Sequence, residues 1–261
     1  MEITFYKYQG TGNDFILIDN RENNLPELTE KRIRIFCDRK FGIGADGFII
    51  LNKKEGYDFE MVYHNADGSE STMCGNGGRC MVQFAYDLGI HKTEYNFLAI
   101  DGSHSAAIDT EKKVRLKMQD VSAVETHAGY AILNTGSPHY VKFDNDVRHI
   151  DVEKEGAEIR YSKAFEEIGV NVNFVENTGP YNIYVRTYER GVEGETLSCG
   201  TGVTAAALVS AHNDRGFNEL QITTNGGELS VEFNKIDDDN FSDIYLIGPA
   251  KFVFKGTINI Q

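Results

Sequence analysis

Glu70-Ser71-Thr72-Met73-Cys74-Gly75-Asn76-Gly77 and Glu195-Thr196-Leu197-Ser198-Cys199-Gly200-Thr201-Gly202 are two copies of one pattern. The 125-residue shift that lays Cys199 on Cys74 also lays Gly227 on Gly102 and Arg190 on Asn65. Gly136-Ser137-Pro138-His139 falls one residue out of step with Gly12-Asn13-Asp14-Phe15. A period of this length is a domain, because solenoid units repeat every ~20–50 residues. The chain therefore reads as two similar halves.

Outward from the two copies, period-2 alternation marks strands at residues 3–6, 114–118, 183–186, 229–233 and 251–254, bounded by Gly, Asn and Asp clusters. Helical periodicity is sparser, at 29–38, 79–88, 203–212 and, weakly, 165–169. Two of these follow directly on a Cys-Gly-x-Gly. The expected class is α+β, with a first half at 1–120 carrying Cys74 and a second at 121–250 carrying Cys199. The seam is expected between Gln119 and Glu125, where no Ser/Gly/Pro-rich linker marks it.

With 261 residues, 41% of them hydrophobic, the chain can bury a sizeable core. Forty Asp and Glu against 26 Lys and Arg leave a formal charge of −14, which repels phosphate backbones and anionic membranes, so nucleic acid is not an expected partner. The first residues show no basic stretch leading into an apolar one, and no apolar run approaches bilayer length. The expectation is a soluble, uncleaved, cytoplasmic protein. Four cysteines are too few for a disulfide scaffold and, in a reducing compartment, are free thiols.

Each repeated cysteine stands where a glycine-rich turn feeds a helix. First-turn N–H groups then point toward the sulfur and the helix dipole favours negative charge, so such a thiol ionises more readily than a free one. The same N–H groups suit the α-carboxylate of an amino acid, which Gly75, Gly77, Gly200 and Gly202 allow to approach the backbone. If the halves face each other, one thiolate can remove an α-proton while the opposite thiol delivers one, and configuration inverts. The charge that develops on the carboxylate would meet two helix N-termini, with water excluded by closure. Neither pyridoxal phosphate nor a metal is required.

Packing is the plain alternative for any cysteine, and it is the reading adopted for Cys37 and Cys80. It does not explain why Cys74 and Cys199 share one point of a repeat. Zinc is disfavoured because Cys74 and Cys80 lack the close spacing of structural sites. Neither glycine turn has the Lys-Ser/Thr ending of a phosphate loop or the G-x-G-x-x-G of a dinucleotide fold.

Further motifs surround the repeat: Tyr8-Gln9-Gly10-Thr11-Gly12-Asn13-Asp14-Phe15, Gly42-Ile43-Gly44-Ala45-Asp46-Gly47, Asn65-Ala66-Asp67-Gly68-Ser69, Met73 to Cys80, Gly136-Ser137-Pro138-His139, Asn171-Val172-Asn173-Phe174-Val175, and Tyr188-Glu189-Arg190-Gly191. In this order, from residue 8 to Gly202, they resemble the diaminopimelate epimerases. The resemblance implies conversion of LL-2,6-diaminopimelate to the meso form without a cofactor, on the route to lysine and peptidoglycan precursors. It implies pseudo-symmetric halves of mostly antiparallel strands, each wrapped around a central helix, with segment 251–261 returning to the first half. It implies a homodimer, catalysis by Cys74 and Cys199, and contacts to substrate from Asn13, Gly47, Asn65, Gly75, Asn76, Asn171, Gly200 and Thr201. Arg190 would grip the distal carboxylate, Glu189 the distal ammonium or a cysteine proton, and His139 would tune one thiol.

Three positions depart from the commoner family pattern. Ser137 precedes Pro138 where Asn is frequent, Gly47 stands where some members carry Gln, and Glu193 or a neighbour is one residue extra before Cys199. The equal nine-residue spacing from Asn65 to Cys74 and from Arg190 to Cys199 argues that the last is tolerated. Two rivals compete. The first is a proline or hydroxyproline racemase, in which His usually holds the place of Asn76. The second is a non-catalytic thiol sensor of the same fold.

Overall fold

The structure is a computed structural model that describes residues 2–259. It divides into two units, one running to Leu116 and resumed from Gly248, the other spanning Lys117–Ile247.

The first unit contains β1 (Glu2–Gly10), β2 (Asn13–Asp19), α1 (Glu30–Cys37), β3 (Gly47–Asn52), β4 (Phe59–Asn65), β5 (Glu70–Ser71), α2 (Gly75–Asp87), β6 (Glu94–Ala99), β7 (Gly102–Ile108) and β8 (Lys113–Lys117). The second contains β9 (Val124–His127), β10 (Tyr130–Asn134), β11 (Pro138–Phe143), α3 (Val152–Arg160), β12 (Asn171–Gly179), β13 (Asn182–Glu189), β14 (Gly194–Thr196), α4 (Gly200–Val209), β15 (Gly216–Thr224), β16 (Gly227–Lys235) and β17 (Phe241–Pro249). A last strand, β18 (Lys251–Asn259), lies antiparallel on β1.

The repeat seen in the sequence is a repeat of topology. β2 runs parallel to β3 and β4 parallel to β6; β11 runs parallel to β12 and β13 parallel to β15. The pairs β1–β2, β3–β4, β6–β7 and β7–β8, with their counterparts β10–β11, β12–β13, β15–β16 and β16–β17, are antiparallel. Gly102 and Gly227 close the matching hairpins at φ 121° and φ 137°, a region in which a side chain is strained, so glycine recurs at both.

In each unit the strands enclose one helix. Gly75 to Ala85 of α2 are buried without interruption, and α4 is buried from Gly202 to Leu208. A helix enclosed on all sides needs no polar face, which is why Val203-Thr204-Ala205-Ala206-Ala207-Leu208 is tolerated. α2 packs on β1, β2, β3 and β7, and α4 on β10 to β13, β15 and β16.

The helices begin earlier than periodicity suggested, at Gly75 and Gly200 rather than at 79 and 203. Glycine has poor helix propensity, so a pattern reading starts late, but here the missing Cβ atoms make room for the sheet. A Cβ on Gly77 would lie 3.2 Å from Ile49 Cδ1, and one on Gly78 2.8 Å from Met73 Sδ. Residues 165–169 form turns, and the helix of that region is α3, capped by the Asp151 side chain on Lys154 N–H. The division after Leu116 lies upstream of the window from Gln119 to Glu125. Its cause is pairing: Met118 N–H donates to Ile244 at 2.8 Å, and Val121 exchanges bonds with Phe241. The second seam likewise lies upstream of residue 250, after Ile247. Of segment 251–261, residues 260 and 261 lie outside the described residues.

Candidate active site

Cys74 occupies the N-cap of α2 in extended backbone (φ −86°, ψ 131°), and its carbonyl accepts the first helical bond from Gly78 N–H at 2.7 Å. Its half-exposed Sγ lies 3.9 Å from Asn13 Oδ1. Asn13 is held from the far side, donating Nδ2 to Asp46 Oδ2 at 2.7 Å. Arg39 binds both Asp46 and Asp14 at 2.7 Å, and Lys7 pairs with Asp14 at 2.8 Å. Burial alone would raise the Asp14 carboxyl, but the bonds from Arg39 and Lys7 outweigh it and hold it down at about 2. Asn76, buried behind Cys74, donates to Asn13 Oδ1 at 3.3 Å and accepts from Arg79 Nη2 at 3.0 Å.

Cys199 is the N-cap of α4 (φ −109°, ψ 114°), buried, with Val203 N–H donating to its carbonyl at 2.9 Å and Thr201 Oγ1 3.5 Å from its Sγ. Thr135 Oγ1 donates to Thr201 O at 2.8 Å, tying the helix start to the turn before Pro138. His139 is fully enclosed, with Asn173 Nδ2 3.0 Å from its Nδ1 and no partner for its Nε2 among the described residues. Burial, aided by the Arg190 charge, pushes its pKa down to about 3, so the imidazole is neutral near pH 7.

The remaining candidate residues have hydrogen-bond partners within the chain. Asn171 is a brace: both amide hydrogens go to Ser137 Oγ (2.9 Å) and Pro138 O (3.0 Å), and its oxygen accepts Arg190 N–H at 2.9 Å. Arg190 directs its guanidinium to Ile168 O and Ser137 Oγ, at 3.0 and 3.3 Å. Glu189 accepts from Thr196 Oγ1 at 2.8 Å. Asn65 closes the turn after β4, with Gly68 N–H on its carbonyl at 3.0 Å and its amide 3.4 Å from Ser69 Oγ. Asp46, Thr11, Arg79, Asn173 and Ser137 were not singled out as functional from sequence. Each lies inside a quoted motif, and for Thr11, Arg79 and Asn173 the signal is a polar residue at a position the topology buries.

Among the described residues, no three His, Cys, Asp or Glu side chains converge in a way that could hold a metal ion, and no helix is long and apolar enough to cross a membrane. A cavity of about 440 Å³ in the second unit, lined in part by His127, Tyr130, Leu208 and Phe241, contains none of the candidate residues.

Comparison with known proteins bears directly on this arrangement. The family model described as diaminopimelate epimerase matches residues 5–124 and 131–253. The chain belongs to the diaminopimelate epimerase family. It is 52% identical to a diaminopimelate epimerase of Flavobacterium psychrophilum over 97% of this chain and 99% of that one. It is 46% identical to the diaminopimelate epimerase of Chlorobaculum tepidum, over 96% and 99%. Among solved structures, the fold matches a PhzF-family phenazine biosynthesis protein of Bacillus anthracis (TM-score 0.74, 15% identity, both chains fully covered). It also matches a probable proline racemase of Agrobacterium radiobacter (TM-score 0.68, 14% identity, 99% and 93% covered). The two-unit, strand-rich α+β fold expected from sequence is the one these proteins share.

The three departures from the commoner diaminopimelate epimerase pattern have physical accounts. Gly47 opens β3 directly beneath an aromatic ring: a Cβ there would lie 2.6 Å from Tyr63 Cε2 and 3.0 Å from His64 O, so this member has no room for Gln. Ser137 takes up the bracing of Asn171 and Arg190. Glu193 adopts φ 56°, its N–H bonding to Glu189 O at 2.8 Å, and its carboxylate accepts Gly191 N–H and the Tyr161 hydroxyl, so the extra residue is absorbed in a closed turn.

Proposed function

We propose that this chain converts LL-2,6-diaminopimelate to meso-2,6-diaminopimelate by proton exchange at one α-carbon, with Cys74 and Cys199 as the two acid–base groups and no pyridoxal phosphate or metal. The observation that carries this reading is the duplicated cysteine: each unit caps its one enclosed helix with a thiol followed by Gly-x-Gly. An amino-acid α-proton is a very weak acid, so its removal needs a strong positioned base and a place for charge on the carboxylate. A thiolate at a helix N-terminus provides the first and the first-turn N–H groups the second. The product differs from the substrate only in configuration, so a returning proton from the second thiol completes the reaction and leaves the two sulfurs with exchanged protonation states.

Asn13 and Asn76 bind on the Cys74 side, with Gly75 and the backbone of Gly47. Gly200 and Thr201 bind on the Cys199 side. Arg190, braced by Asn171 and Ser137, takes the distal carboxylate, and Glu189 the distal ammonium. Asn65 and His139 position the surrounding backbone and the second thiol. Both thiols must stay reduced, which suits the cytoplasm. A homodimer is part of the same reading.

The deciding experiment is NMR of purified, reduced protein with LL-diaminopimelate in heavy water without added cofactor. Appearance of the meso isomer with deuterium at one α-carbon supports the reading. Absence of exchange from folded protein rejects the substrate, and proline and hydroxyproline then become the substrates to test.

A further inference from the structure

The two half-sites are built on one plan but differ in charge. Arg79, in the second turn of α2, is 0% exposed. Among the described residues its hydrogen-bond acceptors are neutral, namely Thr11 Oγ1 (3.1 Å), Asn76 Oδ1 (3.0 Å) and Gly75 O (3.4 Å), and its Nε has no partner. Guanidinium does not lose its proton in proteins, and a buried cation is costly unless negative charge lies near it. Here the cation also sits at the positive end of a helix. The ionisable neighbours that reach it are Cys74 and Cys80. Burial pushes the Cys80 thiol up to about 12, so it stays protonated near neutral pH, and Cys74 is the other ionisable neighbour.

The repeat identifies the counterpart. The shift that lays Cys199 on Cys74 lays Thr204 on Arg79, and Thr204 Oγ1 donates to Gly200 O at 2.9 Å just as Arg79 Nη1 donates to Gly75 O. The same bond is made by a neutral hydroxyl in one half and by a cation in the other.

We propose that Arg79 is a positioning residue that adds a buried positive charge to the first half-site, so that Cys74 ionises before Cys199 and is the base of the resting enzyme. The surrounding charges leave this contrast standing. Near Cys74, Asp14 and Asp46 are balanced by Lys7 and Arg39, and Asp101, which accepts Met73 N–H at 3.3 Å, is exposed, where solvent screens its charge. Asn13 Oδ1 at 3.9 Å favours S–H over thiolate, but at that length the bond is weak. Near Cys199, His139 of β11 is neutral, Arg190 at the end of β13 is partly exposed, where solvent screens its charge, and none of Glu219 and Glu228, Glu232 and Lys235 on β15 and β16 is buried. Arg79 is sealed from solvent, so it acts on the thiol through field and through the Asn76–Asn13 bonds and does not touch substrate.

The inference rests on the two-thiol reading above, yet its test uses no substrate, so its failure is distinct from failure of deuterium exchange. Intact protein is treated with iodoacetamide across pH 5–10, and alkylation of Cys74 and Cys199 is followed separately by peptide mass spectrometry. The pH of half-maximal rate is read, which is insensitive to the different exposure of the two thiols. In the natural protein Cys74 should reach half-maximum at lower pH than Cys199. Arg79→Gln should raise the Cys74 midpoint by about one pH unit or more, a tenfold loss of thiolate at a given pH below it, and leave Cys199 unmoved. Arg79→Lys should restore most of that shift. An equal or reversed order in the natural protein overturns the proposal even if Arg79→Gln does not fold. So does a folded Arg79→Gln with an unmoved Cys74 midpoint, an equal shift at Cys199, or a Lys variant that restores nothing.

Discussion

Asn173 directs its side-chain amide at Nδ1 of His139, 3.0 Å away, while its own oxygen accepts the Thr187 hydroxyl at 2.9 Å. The Thr187 bond and a second one to Tyr140 O, at 3.2 Å, fix which end of Asn173 is the donor. His139 Nδ1 is therefore an acceptor, and Nε2 carries the ring proton. Asn173 couples this neutral imidazole to α4, because its oxygen stands where a side chain on Gly202 would project.

That arrangement predicts an acid-sensitive stability. His139 is held at about 3 in the folded chain against an ordinary 6.5, so between these values the unfolded chain binds the extra proton. Stability is undiminished above pH 6.5 and falls as pH drops toward 3, by up to about 1.4 kcal/mol per pH unit from this residue. Urea unfolding of natural protein and His139→Gln across pH 4–8 checks it: the stability difference should be constant above pH 6.5 and shrink below it. Parallel curves would contradict a buried neutral imidazole.

Gly202→Ala should displace Asn173 and crowd Cys199, whose Cβ lies 3.3 Å from the added methyl position. Overpacking of this kind costs about 1–3 kcal/mol. The expected outcome is that loss in urea unfolding together with slower epimerisation, whereas Gly216→Ala, with open space around it but an unfavourable φ of 85°, should lose stability without loss of turnover.

Cys74→Ser and Cys199→Ser should each lower turnover by about 10³-fold, in the range expected for loss of a general acid–base group. Circular dichroism should be unchanged. Near-normal turnover in either variant would remove the two-thiol mechanism while leaving the fold assignment intact.

Ser137→Ala removes an acceptor from both Asn171 and Arg190. If Arg190 holds the distal carboxylate, KM for diaminopimelate should rise by about three- to tenfold, as for a bond worth ~1 kcal/mol, with kcat nearly unchanged. A fall in kcat at constant KM would place Ser137 at the reacting carbon instead.

Much of this site was legible in the chain because it is duplicated. Cys74 and Cys199 announce themselves by recurring with Gly-x-Gly at one shift, and the strand alternation around them is strong enough to assign the class. Glycines that serve packing look like helix breakers, so periodicity starts α2 and α4 late. α3 leaves little periodic signal because Val152-Glu153-Lys154-Glu155-Gly156 offers few apolar residues, and only two of its nine, Val152 and Gly156, are buried.

The sequence by itself determined the duplicated architecture, the pair of thiols and the family, because these depend on residue identity and spacing along the chain. Tertiary structure decided what each polar side chain is for. Asn13 and Asn171 look alike as motif residues, yet one stands beside Cys74 and the other spends its amide on Ser137, Pro138 and Arg190. Arg79 and Thr204 share one point of the sequence repeat, yet only the fold shows that both bond the first carbonyl of an enclosed helix, one as a buried cation and the other as a hydroxyl. Burial removes the solvent that would screen and satisfy these groups, so their charge state and partners follow from neighbours that lie far away in the chain.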